Sequence, residues 1–230
     1  MILVLSNVAN EAAGEMVGMF PRGAASLVTA SDLNQTFRAA LSVGDFPPSE
    51  ITLGGTRTTA GEISGVVSTI SHFLPQEFYY IEAADREYVC AEVSAFFIYF
   101  LSELTCRKLN PPTPKRLSGL GLHRVEWLRV AAGCGVPVWP FAFRNGTPAA
   151  ETEPGLEYLR STIVGESLVE KDAPERVGGY MRSLSLALSM PYLSCLFVRP
   201  GGGDYHLAEL MSVPDVRVPA NREAIAAFLG

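Results

Sequence analysis

Val89, Val93, Phe96, Phe100 and Leu104 recur at spacings of four, three, four and four, which on an α-helix makes one continuous apolar stripe. The pattern predicts a helix over 85–106. Glu87, Ser94, Ser102 and Glu103 fall largely off the stripe. Glu92 and Glu103 bracket the apolar run 96–101, so the segment reads as a helix buried in a protein core and not as a membrane span. Tyr88 and Glu92 lie four apart and share a face, either as a site pair or as ordinary packing and solvation. Leu109-Asn110-Pro111-Pro112 follows directly, and the Pro- and Gly-rich stretch 111–121 reads as a linker.

Before that helix, the run from Ile2 to Ser6 looks like a buried parallel strand feeding a helix over 11–20 that Pro21 stops. Residues 25–29 give a second strand, and this β-α-β start predicts an α/β domain. Residues 37–43 and 51–53 are expected to form a hairpin or edge strands around Asp45-Phe46-Pro47-Pro48. Residues 63–70, rich in Val and Ile, return to the sheet.

Beyond the linker, Val125, Leu128 and Ala132 define one side of a helix over 123–133, ended by Gly133 and Gly135, with a strand over 136–143. Residues 144–155 read as a loop and 161–169 as a hairpin turning at Gly165-Glu166. Asp172, Pro174 and Glu175 mark a helix start, with Asp172 as cap. Val177, Met181, Leu184 and Leu188 supply that helix's stripe. Strands over 192–198 and 205–211 follow, and Asn221 caps a last helix. The expected layout is two regions. Residues 1–112 form an open, mostly parallel sheet flanked by helices, and residues 113–230 form a smaller α+β region.

Nearly half of the residues are apolar (48%) and 18% are charged, which excludes a disordered chain. The net charge of −6 argues against nucleic acid or an anionic membrane as partner. Lys108, Lys115 and Arg116 form a local basic cluster read as a solvated loop. Cys90, Cys106, Cys134 and Cys195 form no Cys-x-x-Cys pair and read as reduced, mostly buried thiols in a cytoplasmic protein. Gly119-Leu120-Gly121 lacks a third glycine and a preceding strand, so the dinucleotide fingerprint fails. No P-loop and no Gly-x-Ser-x-Gly elbow occurs. Gly201-Gly202-Gly203-Asp204 has no following helix to complete an anion site and reads as a hairpin tip. His72, His123 and His206 have no metal spacing, and His206 and Glu209 should point to opposite faces of a strand.

The order of elements resembles the ATP-grasp superfamily, in its RimK-like peptide-ligase branch. The resemblance is carried by the helix with Tyr88 and Glu92 closing on Asn110-Pro111 and by the helix–Gly-x-Pro–strand passage from Arg124 to Pro140. It is carried also by the run through 187–192, Phe197, Leu207-Ala208-Glu209-Leu210-Met211 and Pro214-Asp215. The resemblance implies ATP between two subdomains, phosphates held by lysines, and Mg²⁺ held by late carboxylates and an Asn. Such cations are needed because acyl-phosphate formation develops negative charge on the transferring oxygens.

This chain departs from that pattern at the charged site. The Glu-x-Asn ligand motif maps to Glu209-Leu210-Met211, so Glu209 is retained as a metal ligand while a thioether replaces the amide oxygen. The acidic position on the preceding strand is Cys195 or Leu196. The lysine that opens the helix before Gly-x-Pro is Arg124. No lysine lies between Phe143 and Ser161, a stretch too short for a nucleotide-clamping subdomain. The expectation is therefore a shortened ATP-grasp relative that has lost ATP- and Mg-dependent ligation and needs neither cofactor. It would act as a binding or partner protein in peptide or natural-product biosynthesis. Its ligand would be a small molecule or peptide, or its partner a ligase, and a homodimer is compatible with its apolar content. Asn110, Arg124, Trp139, Asp215 and Arg217 are the ligand-binding candidates, with no catalytic residue assigned. The alternative is a minimal or half-site carboxylate–amine ligase using ATP and Mg, completed by a second chain.

Overall fold

In a computed structural model, which describes residues 1–7, 9–33, 38–40, 50–53, 56–140 and 155–230, the apolar run at the start is buried along its whole length as strand β1 (Ile2–Leu5). Burial on both faces is what a central parallel strand requires. Helix α1 (Glu11–Gly18) leads to β2 (Ala25–Val28), which pairs with β1 in parallel, Ile2 opposite Ala25. On the other side of β1 lies β6 (Gly65–Ser68), also parallel, with Ile2 opposite Gly65.

Three short strands intervene in sequence: β3 (Arg38–Ala40), β4 (Glu50–Leu53) and β5 (Thr56–Thr59). They form an antiparallel sheet of their own. The expected hairpin is therefore three-stranded; its turn at Asp45-Phe46-Pro47-Pro48 lies outside the described residues. β7 (Arg107–Lys108) completes the parallel sheet in the order β2-β1-β6-β7.

Helix α2 (Arg86–Glu103) occupies the predicted place, but its deepest residues are Cys90, Phe97, Phe100 and Leu101, while Val89, Val93 and Phe96 are only partly buried. The run 96–101 is apolar around most of the helix, so spacing alone does not select the side that meets the core. Lys108 Nζ donates to the carbonyls of Leu104 and Ser102, placing a cation at the helix's negative end rather than in a basic pocket.

By packing, the chain divides into Met1–Gly121 with Ser212–Gly230, and Leu122–Met211. The boundary expected after residue 112 thus falls later, and the last helix, α5 (Pro219–Leu229), belongs with the first unit. Val218, not Asn221, holds the cap position of α5; Asn221 is buried within the first helical turn, its Nδ2 donating to Asp215 O at 3.0 Å.

The second unit begins with α3 (Arg124–Gly133), whose buried residues are Trp127 and Ala131 rather than the expected Val125, Leu128 and Ala132. Val125 is 52% exposed. Next come β8 (Leu156–Val164) and β9 (Ser167–Leu168), joined at Gly165-Glu166 as predicted. Helix α4 (Glu175–Leu188) buries Val177, Met181, Leu184 and Leu188, the predicted stripe, but Pro174 and not Asp172 is its cap residue. It packs against β8 and against β10 (Tyr192–Pro200), where Tyr180 stacks on Phe197 with ring centroids 6.3 Å apart. β11 (His206–Met211) completes an antiparallel sheet ordered β11-β10-β8-β9. Residues 136–140 make an isolated parallel bridge, Val138 to Leu207, instead of a strand; 141–143 lie outside the described residues.

Candidate functional site

β11 is not a regular partner for β10. Leu196 faces Glu209 and Phe197 faces Leu207, which leaves Ala208 as an extra residue in a β-bulge. The bulged residue's carbonyl accepts a hydrogen bond from the Arg124 guanidinium at 3.4 Å. Arg124 opens α3, whose first turn is secured by Glu126 Oε2 accepting from the His123 amide at 2.6 Å. A bulge on one strand and a helix start thus meet at one point.

Around it lies an open cavity of about 420 Å³ lined by Arg124, Trp127, Leu196, Ala208, Glu209 and Leu210. Trp127 is nearly fully buried and forms its apolar wall; Arg124 and Glu209 bring opposite charges to its rim. Strand register aligns a third group with them. Leu196 stands opposite Arg160 on β8 as well as opposite Glu209 on β11, so Arg160, Leu196 and Glu209 form one row across the sheet. The Arg160 guanidinium reaches Glu209 Oε2 at 3.5 Å, both side chains being about half exposed.

This row tests whether the donors fit the magnesium ion implied by the resemblance, and they do not. Mg²⁺ demands hard oxygen donors in near-octahedral array. Glu209 supplies a carboxylate already met by a guanidinium, its cross-strand neighbour is Leu196, and two residues on stands the thioether of Met211. Of the two residues considered for the missing acid, Leu196 is the one opposite Glu209 and lining the cavity. Cys195 is wholly buried, and burial pushes its thiol well above the usual range. Among the described residues no group of three His, Cys, Asp or Glu side chains could hold a metal.

The other candidates are distributed differently. Trp139 belongs to the second unit: its amide donates to Leu207 O at 2.9 Å and its ring meets His206 edge-on, centroids 6.0 Å apart. Asn110, Asp215 and Arg217 lie in the first unit. Asn110 is buried and its Nδ2 donates to Ser212 O, a structural tie. Arg217 grips Asp215 through Nε at 2.8 Å and Nη2 at 2.9 Å, a local pair that raises the guanidinium's pKa above its ordinary value. Sequence reasoning missed Arg160 and Trp127. The signal for Trp127 was its position three residues after Arg124, facing the same side of α3. Arg160 carried no local signal, because its pairing depends on the register of three strands.

No family model and no curated protein matches the sequence. Solved structures do. The macrocyclase MdnC from Microcystis aeruginosa, bound with precursor peptide MdnA, matches with a TM-score of 0.75 at 15% identity, over 100% of this chain and 99% of that one. A RiPP-associated ATP-grasp ligase from Chryseobacterium gregarium, in complex with ADP and a leader and core peptide, matches with a TM-score of 0.70 at 12% identity, over 99% and 96%. A RimK domain ATP-grasp protein from Sphaerobacter thermophilus follows with a TM-score of 0.56 at 13% identity, over 99% and 98%. At such identities the likeness establishes architecture, and that architecture agrees with the sequence resemblance: this chain is built on the fold of the RimK-like ATP-grasp ligases.

Proposed function

We propose that this chain is a peptide-binding or partner protein in a ligase-dependent biosynthetic route, built on an ATP-grasp scaffold that no longer performs ATP- and magnesium-dependent ligation. The observation that carries this reading is the row Arg160–Leu196–Glu209, with Met211 beside it. The one retained carboxylate is neutralised by a guanidinium, and the neighbouring donor positions hold a hydrocarbon and a thioether. A phosphoryl-transfer site needs concentrated positive charge beside the γ-phosphate, and here the Arg160 guanidinium is set against Glu209 instead.

The ligand class is proposed from the neighbours, two of which were solved with their peptides. A peptide suits the cavity in the second unit, where Trp127 and the leucines offer apolar contact and Arg124 a carboxylate partner. A cytoplasmic location belongs to the same proposal.

Calorimetric titration with ATP, with and without Mg²⁺, tests it. The expected result is no magnesium-dependent heat at micromolar nucleotide. Micromolar binding that requires magnesium would overturn the reading. ATP turnover appearing only after a second ligase chain is added would replace it with the half-site alternative, which rests on the retained Glu209 and on Arg124 as a cation in the lysine's place.

A further inference from the structure

β10 pairs with β8 along its whole length, from Tyr192 opposite Val164 to Pro200 opposite Leu156, with no shift in register. On its other side β8 is paired only near its end. Ile163 and Val164 meet β9. At Thr162 the carbonyl accepts from the Val169 amide at 2.9 Å, and the amide donates to Glu170 Oε2 at 2.6 Å. Backbone groups alternate in direction along a strand, so the amides and carbonyls of Arg160 and Tyr158 turn outward as those of Thr162 do. Among the described residues, nothing meets them on that side.

Natural sheet edges are blunted by proline, bulges, lysines or unmatched charge. Residues 156–161 contain no proline and no lysine, and their register is regular. Their two charges are already met from within the sheet. The Glu157 carboxylate takes the Arg199 guanidinium and the Tyr205 hydroxyl, the latter at 3.1 Å, while Arg160 reaches Glu209. On the face of the sheet that carries Leu196 and Glu209, Arg160 and Tyr158 are the side chains at this open edge, and Tyr158 is 49% exposed.

We infer that this edge of β8 takes an extended peptide as an additional strand. The peptide backbone completes the ladder at Arg160 and Tyr158, and one of its carboxylate side chains lies beside the Arg160 guanidinium. An extended chain is what presents donors and acceptors at the spacing of the strand it joins. The row Glu209–Leu196–Arg160 then ends in a second acid, with the cation between two carboxylates. Two places along the peptide, an apolar side chain packs on Tyr158. Strand addition here rests on the peptide-binding reading above and gives the peptide its conformation and place, wholly within the second unit.

Fluorescence anisotropy on the full chain tests it, with a labelled peptide of alternating valine and threonine whose central valine is replaced by glutamate. Two N-methylated forms accompany the parent, one methylated at the threonine nitrogens and the other at the remaining alternate nitrogens. In a ladder only one of these sets faces the protein. The parent binds, one methylated form binds as well, and the other is weakened about tenfold or more. Tyr158→Pro removes an outward amide and no amide that β10 uses; it weakens binding about tenfold, against about twofold for Tyr158→Ala. Lysine in place of the glutamate weakens binding to the wild-type chain, and Arg160→Glu reverses that preference. Circular dichroism checks the fold of the proline variant, and the methylated peptides give the answer without it. Equal binding by both methylated forms overturns strand addition and leaves the peptide-binding reading in place. Failure of every peptide to bind overturns it too, while the wider reading stands or falls on the nucleotide titration. A dimer in light scattering that Tyr158→Pro dissociates also overturns it, since a second copy is then the occupant.

Discussion

Cys195 lies in the middle of β10 with no exposed surface, and burial raises its thiol pKa far above the ordinary 9.0. A thiolate there would be an uncompensated charge in an apolar sheet. In the unfolded chain the thiol ionises near pH 9, whereas in the folded chain it stays protonated, so the folded state binds more protons above that pH. Stability from this group is therefore complete below pH 9 and falls as pH rises, by about 1.4 kcal/mol per pH unit. Urea denaturation between pH 8 and 11 should show that loss, and Cys195→Ala should make it shallower, leaving the part due to other groups raised by burial such as Cys90 and Cys106. A second expectation concerns the pair Arg160–Glu209. Both side chains are about half exposed and the contact is long, so Arg160→Leu should change unfolding free energy by only about 0.5 kcal/mol in urea titrations. A large loss would mean that the pair is a structural lock. Glu209 and Met211 were legible as a degenerate tripeptide motif. Arg160 was not, because which residue opposes Glu209 is decided by a bulge at Ala208 and by where β8 begins.

Helix ends give sharper expectations than helix faces. α3 closes with Gly135 at φ +73°, the Gly135 amide donating to Ala132 O and the Val136 amide to Ala131 O, both at 3.0 Å, a Schellman arrangement. No atom lies within 4 Å of where a Cβ on Gly135 would stand, so Gly135→Ala adds backbone strain alone and should cost about 1 kcal/mol. α4 ends the same way but with Ser189 at φ +52°, the one described non-glycine residue with positive φ. Ser189→Gly relieves that strain and should raise stability by about 0.5 kcal/mol, read as a higher urea midpoint. The glycine stop after α3 was visible in the sequence, and the stripe of α4 was read correctly because its other face is polar. α2 and α3 were misread by a fraction of a turn for opposite reasons. α2 has large apolar residues on most sides, whereas in α3 a single large one, Trp127, outweighs the periodic Val125 and Leu128.

At the scale of the molecule, the first unit is discontinuous. Its C-terminal segment returns through Ser212, whose carbonyl takes Asn110 Nδ2, and α5 then buries Ile225 and Leu229. Leu229 packs closely on Gly65, where a Cβ would stand 3.2 Å from its Cδ2, tighter than ordinary contact. Arg107 donates to Phe228 O at 3.0 Å, and Arg222 pairs with Glu15 at 2.8 Å. Pro214 and Pro219 follow residue 212, but with no glycine and with apolar residues between them they read as a strand end and a helix start, not as a return to an earlier core. The Pro- and Gly-rich stretch 111–121, expected to be a linker, is instead part of the first unit, with Leu117 and Ser118 buried and the boundary falling after Gly121. A chain ending at Gly121 should therefore be deficient where one joining 1–121 to 212–230 through a flexible Gly/Ser linker is not. Burying Ile225 and Leu229 alone contributes about 3 kcal/mol or more, a large share of the stability of an ordinary domain. Urea unfolding followed by circular dichroism should show a cooperative transition for the joined chain and a much earlier or absent one for 1–121. Equal midpoints would mean that α5 is an accessory to the first unit rather than part of its core.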